Sequence, residues 1–324
     1  MEKIKVGIVG YGNLGRGVEK GIKQNPDMEL VGIFTRRQPD RISTEKNMIH
    51  ISEIEQYKGK VDVMILCGGS ATDLPEQGPQ IAAMFNIVDS YDTHAKIPEY
   101  FESVETAAKT NGNACVISTG WDPGLFSLNR LLAQAILPEG KEYTFWGKGV
   151  SQGHSDAIRR VDGVLFAAQY TLPIEAAVNK VRNGEEPELS TKEKHLRDCY
   201  VVAKPGADLA KIKNDIVTMP NYFADYETKV QFLTEAEFKA DHSAMPHGGH
   251  VLRSGKTGEN NKQIIEFSLA LESNPEFTAS VMIAYARATF KFSKEGFSGV
   301  KTVFDIPFGY LSPKSPAELR KELL

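Results

Sequence analysis

The chain has little of what builds disulfide frameworks, membrane spans or polyanion-binding surfaces. Its 324 residues include only three cysteines, Cys67, Cys115 and Cys199. They form an odd, widely spaced set with no C-x-x-C, which excludes a disulfide scaffold and a paired-thiol motif. Two of them fall in apolar runs, where a free cysteine behaves as a small hydrophobe, and a reducing compartment fits. No apolar run approaches the roughly 18 residues that a membrane span requires. No basic-then-apolar leader precedes the first strand, so a cytoplasmic protein is expected. Charge of one sign is not in excess either: 38 Lys plus Arg against 42 Asp plus Glu give a net charge of −4, with no general attraction for nucleic acid or anionic membrane. Internal repeats, low-complexity tracts and heptad runs are also missing.

What is present begins with glycine. Gly10-Tyr11-Gly12-Asn13-Leu14-Gly15-Arg16-Gly17 follows directly on the apolar run Ile4 to Val9. This places a Gly-x-Gly-x-x-Gly turn where a first strand hands over to a helix expected from Arg16 to Gln24. In a dinucleotide site, Gly10 makes the tight turn, Gly12 lets the backbone approach a pyrophosphate, and Gly15 lets the helix pack closely on the strand. The helix N-terminus then offers N–H groups and a positive dipole end to the phosphates. At the end of the second strand, Met28 to Phe34, an NAD site usually carries a carboxylate for the ribose hydroxyls. Thr35-Arg36-Arg37 stands there instead. Two guanidinium groups and a hydroxyl can bind a 2′-phosphate, so NADP(H) is the expected cofactor; a solvated surface arginine pair is the alternative.

The length is too great for one compact Rossmann unit and predicts two lobes. Strand and helix alternate through the first third: strand Val61 to Cys67, helix Glu76 to Phe85, strand Asn86 to Asp89, helix Ile97 to Thr110 stopped at Asn111-Gly112, strand Ala114 to Ser118. This predicts an α/β fold, a Rossmann doubly wound parallel sheet, whose ligand loops follow the strands. Those loops are Gly68-Gly69-Ser70-Ala71-Thr72-Asp73, Ser90-Tyr91-Asp92-Thr93-His94 and Thr119-Gly120-Trp121-Asp122-Pro123-Gly124. Beyond Pro138, longer aromatic strands at Tyr143 to Trp146, Leu196 to Ala203, Lys229 to Leu233 and Gln263 to Glu272 predict a second α+β domain with a mixed sheet. Helices are expected over Asp162 to Gln169, Leu209 to Asp215 and Glu276 to Phe292. The expected domains are 1–120, dinucleotide-binding, with 298–324 packing back on it, and 121–297, for substrate binding and dimerisation.

Six segments together resemble one family. Gly10 to Gly17, Leu66-Cys67-Gly68-Gly69-Ser70-Ala71-Thr72-Asp73, Val88-Asp89-Ser90-Tyr91-Asp92-Thr93-His94, Ser118-Thr119-Gly120-Trp121-Asp122-Pro123-Gly124, Ser151-Gln152-Gly153-His154-Ser155-Asp156-Ala157 and Ser273-Asn274-Pro275-Glu276-Phe277-Thr278-Ala279 are similar to the signature of the meso-diaminopimelate dehydrogenases. The resemblance implies reversible NADP-dependent oxidative deamination at the D-centre of meso-2,6-diaminopimelate by a homodimer serving lysine biosynthesis. It places Gly10 to Gly15, Thr35, Arg36, Arg37, Cys67 to Thr72, Ser90 and Tyr91 at the cofactor. Asp92 and Asp122 would hold the reacting ammonium, although an Asp after a strand is often an Asx turn or a helix cap, and Asp122 precedes a helical run from Leu125. Trp121 and Trp146 would supply flat walls, or core.

At the distal amino-acid end the resemblance points to Gln152, Gly153, Asp156, Thr171, Arg197 and His247. Arg197 would clamp the remote carboxylate through its planar fork, with Thr171 and His247 as further donors. Asp156 would lie nearer the distal ammonium. Asn274 is either an N-cap or a carboxylate donor, and the resemblance favours the donor. His247-Gly248-Gly249-His250, read as a glycine turn, lacks a third ligand at a recognisable spacing, so no metal is expected. Arg159-Arg160 receives no role. Two rivals stand beside this reading. A related aspartate-pathway reductase or dehydrogenase needs a reactive Cys with a His partner, or a Lys acting at a carbonyl or imine. A non-catalytic NADP(H) sensor would bind cofactor without turnover.

Overall fold

The computed structural model describes residues 2–37 and 48–324. In chain order the first unit runs β1 (Ile4–Val9), α1 (Asn13–Ile22), β2 (Met28–Thr35), β3 (Met48–His50), β4 (Val63–Leu66), α2 (Leu74–Ala82), β5 (Ile87–Asp89), α3 (Ile97–Asn111), β6 (Ala114–Val116) and the start of α4 (Leu125–Ile136). The second contains β7 (Gly140–Trp146), β8 (Gly149–Val150), α5 (Gln152–Arg159), β9 (Val164–Pro173), α6 (Glu175–Arg182), α7 (Thr191–Lys194), β10 (His195–Ala203), α8 (Leu209–Val217), β11 (Glu227–Phe232), α9 (Glu235–Asp241), β12 (His247–Thr257) and β13 (Asn261–Leu271). The chain then returns to the first unit with α10 (Asn274–Lys294), β14 (Gly299–Lys301) and α11 (Pro316–Leu323).

The first unit, through Leu128 and again from Pro275, is a seven-stranded parallel sheet in the order β14-β6-β5-β4-β1-β2-β3. Apolar runs such as Ile4–Val9 and Val63–Leu66 suit such a sheet because helices cover both faces. On one face, Val6, Ile8, Ile33 and Ile65 pack with Val18 and Ile22 of α1 and Ala279, Met282 and Ile283 of α10. On the other, Val9, Phe34 and Leu66 pack with Ile81, Tyr100 and Val104. Each such side chain contributes roughly 1.5–3 kcal/mol when fully buried. A Cβ at Gly17 or Gly21 would run into Ala279 or Ile283, so these glycines let α1 and α10 lie directly on one another. Arg287 of α10, 3% exposed, bonds both carboxylate oxygens of Asp27 and the carbonyl of Leu311.

That packing divides the chain into compact units at other points than the expected domain limits. The divisions fall after Leu128 and after Asn274, not after residues 120 and 297, because the apolar stripe of α10 completes the Rossmann core.

The second unit, Asn129–Asn274, holds a mixed four-stranded sheet, β11-β10-β9-β8, and an antiparallel three-stranded sheet, β13-β12-β7. The helix expected over Asp162 to Gln169 is a strand. Gly163, at φ +85°, turns the chain, and Val164–Pro173 then pairs with β10 along its whole length. Helix-forming alanines give way to the tertiary ladder. The glycine turn expected at His247–His250 is also a strand: β12 lies between β13 and β7, and a Cβ at Gly248 or Gly249 would strike the carbonyls of Leu269 or Phe145.

Candidate active site

In the first unit, three glycines meet three different demands. Gly10 turns at φ +92° and donates to Phe34 O at 2.8 Å. A Cβ on Gly15 would overlap the Gly10 carbonyl, so the helix sits hard against the turn. Gly12, the residue preceding α1, has no atom beyond its own chain neighbours within 4 Å of where a Cβ would stand. The protein does not need that glycine for its own packing, and the open space is where the sequence reading expects a pyrophosphate to approach. Gly12→Ala is therefore expected to fold with an unchanged melting temperature yet to raise the KM for the dinucleotide about tenfold, ~1.4 kcal/mol. An unchanged KM would remove Gly12 from the site.

The cation pair is organised by a carboxylate. Thr35 is buried and its Oγ1 accepts from Arg37 N at 3.2 Å. Arg36 Nη2 lies 2.6 Å from Asp73 Oδ1, while Asp73 Oδ2 accepts from Gly69 N at 2.9 Å. Arg36 is still 69% exposed in its side chain and offers the rest of its fork to solvent. Gly69 O gathers the N–H groups of Asp73 and Leu74 at 2.8 and 3.1 Å, which shapes Gly68–Thr72 into a compact turn. Ser70 Oγ accepts from Asp92 N at 3.1 Å and so joins that turn to the next loop. Cys67 is half-buried, and burial pushes its thiol and that of Cys115 up. Both stay protonated, and neither is the nucleophile a semialdehyde dehydrogenase needs.

Two aromatic side chains expected at the cofactor turn inward. Tyr11, 8% exposed, bonds Glu19, and Tyr91, 2% exposed, stacks on Tyr100 at 4.1 Å. Their rings belong to the core. Asp92 is exposed on its loop. Trp121 is 8% exposed, edge-on to Phe126 at 5.2 Å. The turn Trp121-Asp122-Pro123-Gly124 contains a cis Asp122–Pro123 peptide and closes through a Trp121–Gly124 bridge. Asp122 thus stands on a turn two residues ahead of Gly124, which itself precedes α4.

The second unit builds its polar row on paired strands. Arg197 is opposite Thr171 and Cys199 is opposite Gln169, so Gln169, Thr171 and Arg197 share one face of the sheet. Arg197 Nη1 bonds Thr171 Oγ1, and the guanidinium lies 3.8 Å above the ring of Tyr226. Arg197 is 7% exposed and forms no ion pair among the described residues; its Nε has no partner. Burial pulls its pKa down, partly offset by Tyr226. His195 Nε2 accepts from Trp146 N at 2.8 Å, and Trp146, 39% exposed, stacks on its ring at 5.4 Å. His247 Nδ1 lies 2.8 Å from Gly248 N and 3.1 Å from Gly248 O. Gln152 is exposed with its amide 3.1 Å from Met245 Sδ, and Gly153 has open space where a Cβ would stand. Asn274 is the first residue of α10, and its N–H bonds Met245 O at 2.9 Å.

Asp156 is expected near the distal ammonium. It lies on the exposed side of α5 in an ion pair with Arg159, while the neighbouring Ser155 is the residue that bonds Gln169 N, at 2.9 Å. Sequence reasoning also missed Gln169 and His195, which become visible only through the β9–β10 register, as well as His154 on α5 and Tyr226, whose ring meets the Arg197 guanidinium only in the fold. His247 and His250 lie on opposite faces of β12, as strand alternation requires, and His250 instead meets Glu266 at 3.1 Å.

His154 and His195 are held neutral. Burial first, and Arg197 second, pull them down to about 4 and about 3. A histidine whose folded pKa lies below its unfolded value destabilises the fold as pH falls, since the unfolded chain takes up the proton first. The melting temperature is expected to drop as pH is lowered from about 6.5 towards about 4, and His195→Gln should flatten that fall; parallel wild-type and variant curves would assign the loss to other groups.

These features define a class: a two-unit dehydrogenase with a glycine-rich Rossmann turn in one unit and a buried guanidinium in the other. Residues 120–273 match the family model of the diaminopimelic acid dehydrogenase C-terminal domain. The chain is 64% identical over 326 residues to the meso-diaminopimelate D-dehydrogenase of Ureibacillus thermosphaericus, with 100% of both chains covered. Among solved structures it is similar to the C. glutamicum DAP dehydrogenase in complex with DAP, at 48% identity and TM-score 0.94 over 100% of both chains. It is also similar to an engineered D-amino acid dehydrogenase bound to NADP+, at 46% identity and TM-score 0.88, covering 99% of this chain and 100% of that one. The chain belongs to the meso-diaminopimelate D-dehydrogenase family.

Proposed function

We propose that the protein catalyses the reversible NADP-dependent oxidative deamination of meso-2,6-diaminopimelate at its D-centre, giving L-2-amino-6-oxopimelate, ammonia and NADPH for lysine biosynthesis. The observation that carries this reading is Arg197, a guanidinium 7% exposed and without a carboxylate partner among the described residues. A buried unpaired charge costs several kcal/mol, and an anionic ligand offsets that cost. A remote substrate carboxylate supplies it; a simple D-amino acid has none.

The open space over Gly12 and the exposed fork of Arg36 fit a phosphorylated dinucleotide, held by Gly10–Gly15, Thr35–Arg37 and Cys67–Thr72. When bound, NADP accepts the hydride from the D-centre carbon. Asp92 and Asp122 hold the reacting ammonium and fix which hydrogen is presented. That ammonium sheds a proton to one of these carboxylates or to water beside them, so deamination is expected to run faster at alkaline than at neutral pH. A rate maximum below neutrality would count against it. At the other end Arg197 and Thr171 bind the carboxylate, with His247 and Asn274 as further donors and Trp146 as a wall.

Purified protein mixed with NADP and meso-diaminopimelate should generate NADPH absorbance, with little from the LL-isomer. Cofactor binding without turnover would instead support an NADP(H) sensor. The same reading makes the protein a cytoplasmic homodimer, which the free thiols and the apolar outer stripe of α4 support. Leu131, Leu132 and Ile136 there are 48%, 51% and 56% exposed. A monomeric mass in solution would remove the dimer.

A further inference from the structure

One buried carboxylate is left unused by this account. Asp89, the last residue of β5, is 0% exposed. Its Oδ1 accepts from Tyr91 N and from Ser118 N, each at 3.0 Å, and its Oδ2 accepts from the Tyr100 hydroxyl at 2.7 Å. Its carbonyl accepts from Thr119 N at 2.9 Å and Thr119 Oγ1 at 2.8 Å. Tyr91 immediately precedes Asp92, and Ser118 and Thr119 lead into Trp121 and Asp122. A single side chain therefore grips both loops that carry the ammonium-holding aspartates. Ser118 sits at φ +56°, a left-handed conformation that non-glycine residues rarely adopt, and its N–H is one of those held.

A valine at this strand end would satisfy the core. Burying a carboxylate instead is costly, and burial pushes the Asp89 carboxyl up despite its three donors. What the carboxylate adds is geometry: two loops from different strands referred to one atom.

We propose that Asp89 is a positioning residue that sets the separation of Asp92 and Asp122 and so seats the reacting ammonium. This rests on the reading that those two aspartates hold it. Asp89→Asn keeps an acceptor for both N–H groups, and its amide can donate to the Tyr100 oxygen, so kcat/KM for meso-diaminopimelate should stay within about threefold of wild type. Asp89→Ala removes the side-chain bonds to Tyr91 N and Ser118 N, leaving only the backbone carbonyl's contact with Thr119, and should lower kcat/KM about 30-fold, mostly through kcat, with NADP affinity within about twofold. Asp89→Glu, which keeps the charge but adds a methylene, should show the same pattern.

Folded Ala and Glu variants with wild-type kcat/KM would overturn the proposal. So would losses matched in NADP affinity, or failure of both variants to fold, which would make Asp89 a structural residue. Asp92→Asn and Asp122→Asn, assayed alongside, separate the two ideas. If they leave turnover intact, the reading of the aspartates fails and takes the proposal with it. If they impair turnover while Asp89→Ala does not, the positioning role alone fails.

Discussion

Arg197→Met is expected to lower kcat/KM for meso-diaminopimelate about a thousandfold, ~4 kcal/mol, and to leave the affinity for NADP unchanged. The magnitude follows from burial: without the guanidinium, the remote carboxylate must enter a desolvated seat that offers only the further donors Thr171, His247 and Asn274. The folded protein should not suffer, because Arg197 has no ion-pair partner among the described residues to leave stranded. Methionine fills a similar volume, and its sulfur can rest on the Tyr226 ring that now carries the cation. The melting temperature should hold or rise. Turnover of apolar D-amino acids should hold or improve, since their side chains no longer face a buried charge. Comparing kcat/KM for meso-diaminopimelate with that for D-norleucine is the decisive measurement: equal losses, or unfolding, would make Arg197 a structural residue.

The parts of the protein legible in the sequence are those fixed by neighbours in the chain. The glycines between Val9 and Arg16 and the stop of α3 at Gly112, φ +73°, follow from local backbone geometry, and the parallel strands follow from short apolar runs. What the sequence concealed depends on partners far along the chain. Val164–Pro173 contains alanines that favour a helix, and only its ladder with β10 makes it a strand and aligns Gln169 and Thr171 with Arg197. Gly248 and Gly249 look like a turn because glycine is common there, yet they are small so that three strands can come together. The stripe on α10 announces a buried helix but not the surface it meets, which is α1. The same limit hid Asp73: a carboxylate 36 residues beyond Arg37 gives no local sign that it holds the adjacent guanidinium.

That contact sharpens the expectation for the cofactor. Arg36→Ala should raise the KM for NADP about 100-fold, ~2.7 kcal/mol, with little change for NAD. Two effects add. The 2′-phosphate loses charge-assisted bonds, and the Asp73 carboxylate, which sits 2.6 Å from Arg36 in the wild type, is left without its counter-ion. An uncompensated negative charge repels a 2′-phosphate but not a 2′-hydroxyl, so the preference between the two dinucleotides should narrow through the loss of NADP affinity. The double variant Arg36→Ala/Asp73→Asn distinguishes these contributions. It should recover part of the NADP loss, because the repulsion goes while the missing donors stay missing. NADP and NAD titrations of the three proteins at one ionic strength supply the test, as exposed charges are screened by salt. Equal losses for NADP and NAD in Arg36→Ala would place the 2′-phosphate elsewhere, and no recovery in the double variant would confine Asp73 to its bond with Gly69.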